Sequence, residues 1–154
     1  MQEHTESGPV PPEDSLDLLQ AAAAARARAY APYSRFFVGA AIRGESGTIY
    51  AAANVENAAY PVGTCAEAGA IAAMIAGGDR RIVEILVCGP GPALVTPCGA
   101  CRQRIREFAS ARTPIHAAGP DGITASFTLG ELLPMAFGPD NLEPGTPQNE
   151  ATVR

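Results

Sequence analysis

Cys65, Glu67, Cys98 and Cys101 are the residues of this chain best suited to chemistry. The two-residue gap between Cys98 and Cys101 lets both thiolates reach one metal ion from the first turn of a helix. Such a pair also serves redox chemistry, but a redox dithiol has no need of a third cysteine. Here Cys65 opens another helical segment, which makes three sulfur ligands available. Helix N-termini present unsatisfied N–H groups and a partial positive charge. That setting lowers thiol pKa values and offsets part of the negative charge of a three-thiolate site. Three protein ligands on Zn2+ leave the fourth position to water, the arrangement of a catalytic site rather than a closed structural one. Glu67, two residues after Cys65, is then placed to carry protons near that water without being a ligand. A glutamate early in a helix usually does no more than compensate the helix dipole. With Cys65 beside it and Pro97-Cys98-x-x-Cys101 downstream, catalysis is the better reading.

The elements that must position these residues follow from pattern. Ser15 is the expected N-cap of a helix running through the alanine-rich segment to about Tyr30 and ended by Pro32. Val38 to Arg43 and Ile49 to Ala53 read as two strands joined as a hairpin through Gly44-Glu45-Ser46-Gly47. Thr64 to Ala76 has helical periodicity at Ala66, Ala70, Ile71, Met74 and Ile75 and is closed by Gly77-Gly78. Gly69 inside it reads as a packing concession. Ile82 to Cys88 is an apolar run interrupted by Glu84, as expected of a central, covered strand. A third helix runs from near Cys98 to about Ala109. Pro114 to Ala118 and Ile123 to Phe127 are strands around a turn, and Thr128 caps a short helix through Leu133, before Pro134. From Gly138 onward the composition reads as a lid or tail. Strands alternating with helices predict an α/β fold, a three-layer α/β/α sandwich with a mixed central sheet of about five strands. Cys88 reads as a buried spectator of the central strand. His4 and His116 have no ligand spacing and read as tail and strand residues.

At 154 residues the chain fits one domain with a real core. Residues 15–142 are the expected catalytic domain, flanked by flexible tails at 1–14 and 143–154. The formal charge of −5 argues against a nucleic-acid partner, which normally requires a basic patch. The start of the chain has no basic-then-apolar pattern of a secretory signal, and the apolar runs are too short to span a bilayer. Four cysteines in that setting read as metal ligands or core residues, and a cytoplasmic protein is the expectation.

Five ordered segments carry a more specific likeness: Ala31 to Ala41 (APYSRFFVGAA), Asn54 to Tyr60 (NVENAAY), Cys65 to Glu67, Pro97 to Gln103 (PCGACRQ) and Leu132 to Pro139 (LLPMAFGP). Over about residues 15–142 the chain resembles the small homotetrameric zinc-dependent cytidine deaminases. The resemblance implies one Zn2+ per chain on Cys65, Cys98 and Cys101, with Glu67 as the proton carrier. Cytidine or deoxycytidine would be hydrolysed to uridine or deoxyuridine plus ammonia by a zinc-activated water, in pyrimidine salvage. It also implies that Asn54 and Glu56 hold the ribose hydroxyls, whose donor and acceptor sides an amide and a carboxylate suit. Phe36 would pack against the pyrimidine, and the backbone N–H of Ala66 would meet the ring carbonyl. Tyr60 and Phe137 would help build sites shared between subunits of a homotetramer.

One departure is informative. The family commonly has arginine directly after the catalytic glutamate, donating to the thiolates; this chain has Ala68. Three thiolates and Zn2+ sum to −1, so Arg102, or an arginine from another chain, is expected to supply part of the correction. Two kinds of alternative function compete. Another aminopyrimidine nucleoside, or a base in nucleic acid, is a different substrate for the same chemistry; editors of nucleic acid, however, typically carry His at the first ligand position and need basic or aromatic surface. A structural zinc or a lapsed enzyme would want a fourth protein ligand, and would have no use for Glu67.

Overall fold

The alanine-rich segment after Ser15 forms helix α1 (Leu16–Arg26), four residues shorter than propensity alone predicts. Tertiary hydrogen bonds end it. The Arg26 Nε donates to the Phe37 carbonyl, and the Tyr30 N–H donates to the carbonyl of Asn54, drawing the chain into a bridge with Val55. Pro32 therefore lies well beyond the helix it was expected to stop. Ser15 occupies the cap position but does not cap: its backbone is helical, and its hydroxyl donates to Glu84 at 3.3 Å. This computed structural model describes residues 15–142; the two segments expected as tails, with His4, lie outside the described residues.

The strands are β1 (Gly39–Gly44), β2 (Ile49–Ala53), β3 (Ile82–Cys88), β4 (Pro114–Gly119) and β5 (Gly122–Thr128). They form one sheet in the order β2-β1-β3-β4-β5, with the apolar β3 at its centre. Only β3 and β4 run parallel, so the sheet is mixed as expected. Helices α2 (Ala66–Ala76), α3 (Gly99–Phe108) and the short α4 (Leu129–Leu132) supply one layer and α1 the other.

The two faces of the sheet are filled differently. Ile42, Met74, Ile85, Val87, Ile105, Ile115 and Leu129 make the larger cluster, between the sheet and α2, α3 and α4. Each large aliphatic side chain buried there contributes about 1.5–3 kcal/mol. The α1 face uses Leu18, Ala22, Ala41, Leu86, Cys88 and Ala118. Its small residues let α1 lie close: a Cβ on Gly39 would meet the Ala22 carbonyl at 2.0 Å. Gly69 is a packing concession of the same kind, since its Cβ would lie 2.8 Å from that of Ala52.

A polar row crosses the α1 face and explains Glu84. The carboxylate of Glu84 accepts from Arg43 Nε at 2.8 Å and lies 3.2 Å from His116 Nε2, while His116 Nδ1 lies 2.7 Å from Ser126 Oγ. Arg43 also bonds Asp17 at 2.7 Å. His116 is thus a strand residue, as its lack of ligand spacing implied, but it links β3 to β5. At the other end of the fold Thr128 forms a full capping box with Glu131, as its position before α4 predicts.

Candidate active site

The sulfur ligands come from two helix starts. Cys65 is the N-cap of α2 and Cys98 the N-cap of α3, both with extended backbone and neither using its side chain to cap. Cys101 lies in the first turn of α3 and is fully buried. The three Sγ atoms all lie within 4.8 Å of one another, and those of Cys65 and Cys98 are 3.9 Å apart. All four cysteines are free thiols, and Cys88 is buried in β3 away from this group. A tetrahedral zinc site with Zn–S bonds of about 2.3 Å needs sulfur atoms about 3.8 Å apart. The cluster therefore fits one Zn2+ with little rearrangement, and its three soft sulfur donors suit that ion.

The thiols are not equivalent. Burial pushes Cys101 far up from the ordinary thiol value, and the adjoining Glu67 carboxylate pushes it further. Cys65 is also raised, chiefly by burial. Cys98 is lowered: burial opposes ionisation there, but the N–H groups of Cys101 and Ala100 and the two neighbouring thiols outweigh it. The start of α3 thus stabilises the Cys98 thiolate, as expected of a helix N-terminus.

Glu67 is the second residue of α2 and only 4% exposed, against the Cys101 sulfur. A glutamate that merely serves a helix start sits in solvent, as Glu131 does at α4. Burying a carboxylate is costly unless a polar or charged partner receives it, and the sulfur cluster is where this one points. Ala66 precedes it as the first residue of α2, so its backbone N–H has no partner within the helix.

The other half of the site is built on loops. Asn54 follows β2 and uses its amide on its own chain: Nδ2 donates to the Phe36 carbonyl at 2.8 Å, and Oδ1 accepts from the Val38 N–H at 2.9 Å. Its amide therefore holds the segment carrying Phe36, leaving one N–H and one lone pair for a ligand. Glu56 Oε1 accepts from the N–H groups of Tyr33 and Ser34 at 3.0 and 3.1 Å. The Ser34 side chain and these N–H groups hold the Glu56 carboxyl below its ordinary value. Tyr33, Ser34, Glu56, Asn57, Tyr60 and Gly63 line an open cavity of about 330 Å3, and Gly63 leads directly to Cys65. The Tyr33 and Tyr60 rings meet in a tilted arrangement, with centroids 5.8 Å apart and planes at 58°.

Phe36, Tyr60 and Phe137 are 44%, 75% and 58% exposed. Tyr60 lines the Glu56 cavity of its own chain, whereas Phe137 does not. Phe137 is tethered through its carbonyl to Gln103 Nε2 of α3 at 3.0 Å.

Arg102, expected to supply part of the charge correction, makes its hydrogen bonds elsewhere. Its guanidinium is consumed by the carbonyls of Pro97 and Leu132, both at 2.8 Å, and by Thr96 Oγ1 at 2.9 Å. It ties the loop before α3 to α4 instead. The arginine that approaches a sulfur is Arg104, whose Nη1 lies 3.9 Å from Cys101 Sγ. Sequence reading missed it, although Cys101 and Arg104 have the three-residue spacing that puts side chains on one helix face. The backbone clamp of Tyr33 and Ser34 on Glu56 was also missed, and no side-chain signal could have revealed it.

Comparison with known proteins agrees with this geometry. The family model for the cytidine and deoxycytidylate deaminase zinc-binding region matches residues 12–117. The cytidine deaminase of Sporosarcina psychrophila is 42% identical over 118 residues, covering 77% of this chain and 87% of that protein. That of Halalkalibacterium halodurans is 40% identical over 129 residues, covering 84% and 98%. The crystal structure of a cytidine deaminase from Burkholderia pseudomallei superposes with a TM-score of 0.75 at 40% identity, covering 79% of this chain and 98% of that one. An α/β/α sheet fold with a three-cysteine metal centre and a buried glutamate defines a class of zinc hydrolases. Within that class the chain belongs to the cytidine and deoxycytidylate deaminase family.

Proposed function

We propose that residues 15–142 form a nucleoside deaminase unit in which Glu67 is the proton carrier and Cys65, Cys98 and Cys101 are the ligands of one Zn2+. The reaction is hydrolytic deamination of cytidine and deoxycytidine to uridine and deoxyuridine with release of ammonia, a step of pyrimidine salvage. The observation that carries it is a carboxylate buried against three converging sulfurs. Zn2+ held there supplies the Lewis acidity that makes water a nucleophile near neutral pH.

The chain's own groups do the rest. Glu67 takes a proton from the attacking water and delivers it to N3 of the pyrimidine as the water oxygen bonds to C4. Glu67 then takes the second proton, from the hydroxyl now on C4, and gives it to the 4-amino group as the C4–N bond breaks, leaving the C4 carbonyl and ammonia. The Ala66 N–H holds the ring carbonyl, and Phe36 packs on the ring. Glu56, its Oε1 fixed by Tyr33 and Ser34, keeps Oε2 for a ribose hydroxyl, and Asn54 offers its remaining N–H. A carboxylate at this place also disfavours a nearby 5′-phosphate, which supports a nucleoside over a nucleotide or a nucleic-acid strand. The formal charge of −5 supports the same choice.

The active form in this reading is a homotetramer. Its support is the exposure of Phe36, Tyr60 and Phe137, and the tethering of Phe137 outside its own chain's cavity, where it can serve a neighbour. Free cysteines support a reducing, cytoplasmic location, and no helix among the described residues is long and apolar enough to cross a membrane. The test is the ultraviolet loss of cytidine absorbance with zinc-quantified protein beside Glu67→Gln. Turnover abolished in the variant, with one zinc per chain in both, establishes the reaction and the role of Glu67. Zinc without turnover on either nucleoside overturns the substrate assignment.

A further inference from the structure

We propose that Arg104 is a positioning residue that balances the charge of the three-cysteine site through Cys101. Three thiolates and Zn2+ carry a net charge of −1, and excess thiolate charge weakens the Lewis acidity on which the reaction depends. The three sulfurs are not equally provided for. Cys98 is the N-cap of α3 and exposed, whereas Cys101 lies in its first turn and is fully buried. Cys101 is the sulfur that Arg104 Nη1 approaches, at 3.9 Å. With Arg104 included, the formal sum is 0. A guanidinium is always charged and weakly hydrated, so it suits a soft, partly buried acceptor.

The position of the arginine is set by α2 as well as α3. Ala68 and Arg104 line the same depression between the two helices, with Ile71, Ala72, Gln103 and Glu107. The small side chain at 68, one residue after Glu67, leaves this depression open beside Arg104. Arg102, the other candidate, has its three nitrogens committed to Pro97, Leu132 and Thr96. Residues beside metal ligands commonly tune a site in this way, and their loss costs about 10- to 100-fold in metal affinity or activity.

The inference rests on the reading of the cysteines as a metal centre, and its test separates the two. Full-length wild type, Arg104→Ala, Arg104→Lys and the double variant Arg104→Ala/Ala68→Arg are prepared with zinc for kinetics and with cobalt(II) for spectroscopy. Arg104→Ala is expected to lower kcat about tenfold with KM for cytidine unchanged. Its sulfur-to-cobalt charge-transfer band should move to lower energy, because removing the cation raises electron density on sulfur. Arg104→Lys and the double variant should recover most of both effects. An Arg104→Ala protein with wild-type kcat and an unmoved band overturns the proposal. So does an equal loss in the alanine and lysine variants with the band unmoved, which would mark a structural role. If wild type itself fails to turn over cytidine, the functional reading falls, and the band comparison still decides the role of Arg104.

Discussion

The sulfur cluster and the loop-built cavity beside it are constructed by different means. Cys65, Glu67, Cys98 and Cys101 sit on the first turns of α2 and α3, where backbone direction is set by the helices and the helices are pinned by the aliphatic core. Asn54, Glu56 and Phe36 sit on loops around the end of β2, where position is set by hydrogen bonds between side chain and backbone over separations of 16 to 23 residues. The first construction is anchored on helices, with Glu67 and Cys101 buried, and suits groups whose geometry decides a rate. The second is exposed and adaptable, and suits groups that hold a substrate. The expected kinetic signature is a division of labour: kcat and metal content belong to the helix starts, KM to the loops.

Cys98→Ala tests the first construction most severely. It should lose zinc and all measurable turnover while keeping the fold, since Cys98 lies at the protein surface and adds nothing to the aliphatic core. Metal analysis with circular dichroism checks this, and retained stoichiometric zinc would break the ligand assignment. Glu67→Gln comes next: kcat should fall about 10²- to 10⁴-fold with zinc unchanged. A comparable rise in KM instead would place Glu67 on the binding side of the comparison.

Glu56→Gln probes the loops and should raise KM for cytidine roughly tenfold with zinc and kcat nearly unchanged. It also has a pH signature. The folded-state pKa of Glu56 is depressed below its ordinary 4.5, so its stabilising contribution is complete above that value and is lost as pH falls through the lower folded value. The thermal midpoints of wild type and Glu56→Gln should therefore differ at pH 6 to 7 and converge in acid. A gap that persists in acid would mean the clamp on Tyr33 and Ser34 does not depend on charge. The smallest effect on activity is expected from Arg102→Ala. It removes three hydrogen bonds and should destabilise by about 2 kcal/mol, read from denaturant unfolding, with zinc content and the cobalt band of the loaded protein unchanged. A shifted band would return Arg102 to the metal site.

Much of this division was legible beforehand. That Cys65 shares a helix start with Glu67, and Cys98 with Cys101, follows from spacing, because a helix start converts adjacency in sequence into adjacency in space. That the two starts, 33 residues apart, meet is decided by packing. The mixed five-stranded sheet followed from alternating apolar runs and glycine-rich turns, and the Thr128 cap from local chemistry that completes itself within four residues. The end of α1 did not follow, because alanine propensity is worth only tenths of a kcal/mol per residue and was overridden by the pairing of Tyr30 with Asn54 and Val55. Ser15, Glu84 and His116 likewise read as a cap, an interruption and an isolated strand residue, yet they belong to one polar network across the sheet.

The amino-acid sequence by itself determined which atoms could bind the metal, which carboxylate could carry the proton, and the order of elements that brings them together. The first two depend on residue identity and on the short Cys65–Glu67 and Cys98–Cys101 spacings, the third on the alternation of apolar runs and turns. Only the tertiary structure decided which arginine faces the sulfurs, what the Asn54 amide holds, and how Glu56 is oriented. For Asn54 and Glu56 the partners lie 16 to 23 residues away. For the arginines the choice depends on which side of α3 meets the sulfurs. Arg102 and Arg104 are two residues apart on one helix and chemically identical, and what separates them is the neighbour that each one meets: the carbonyls of Pro97 and Leu132 for the first, the Cys101 sulfur for the second.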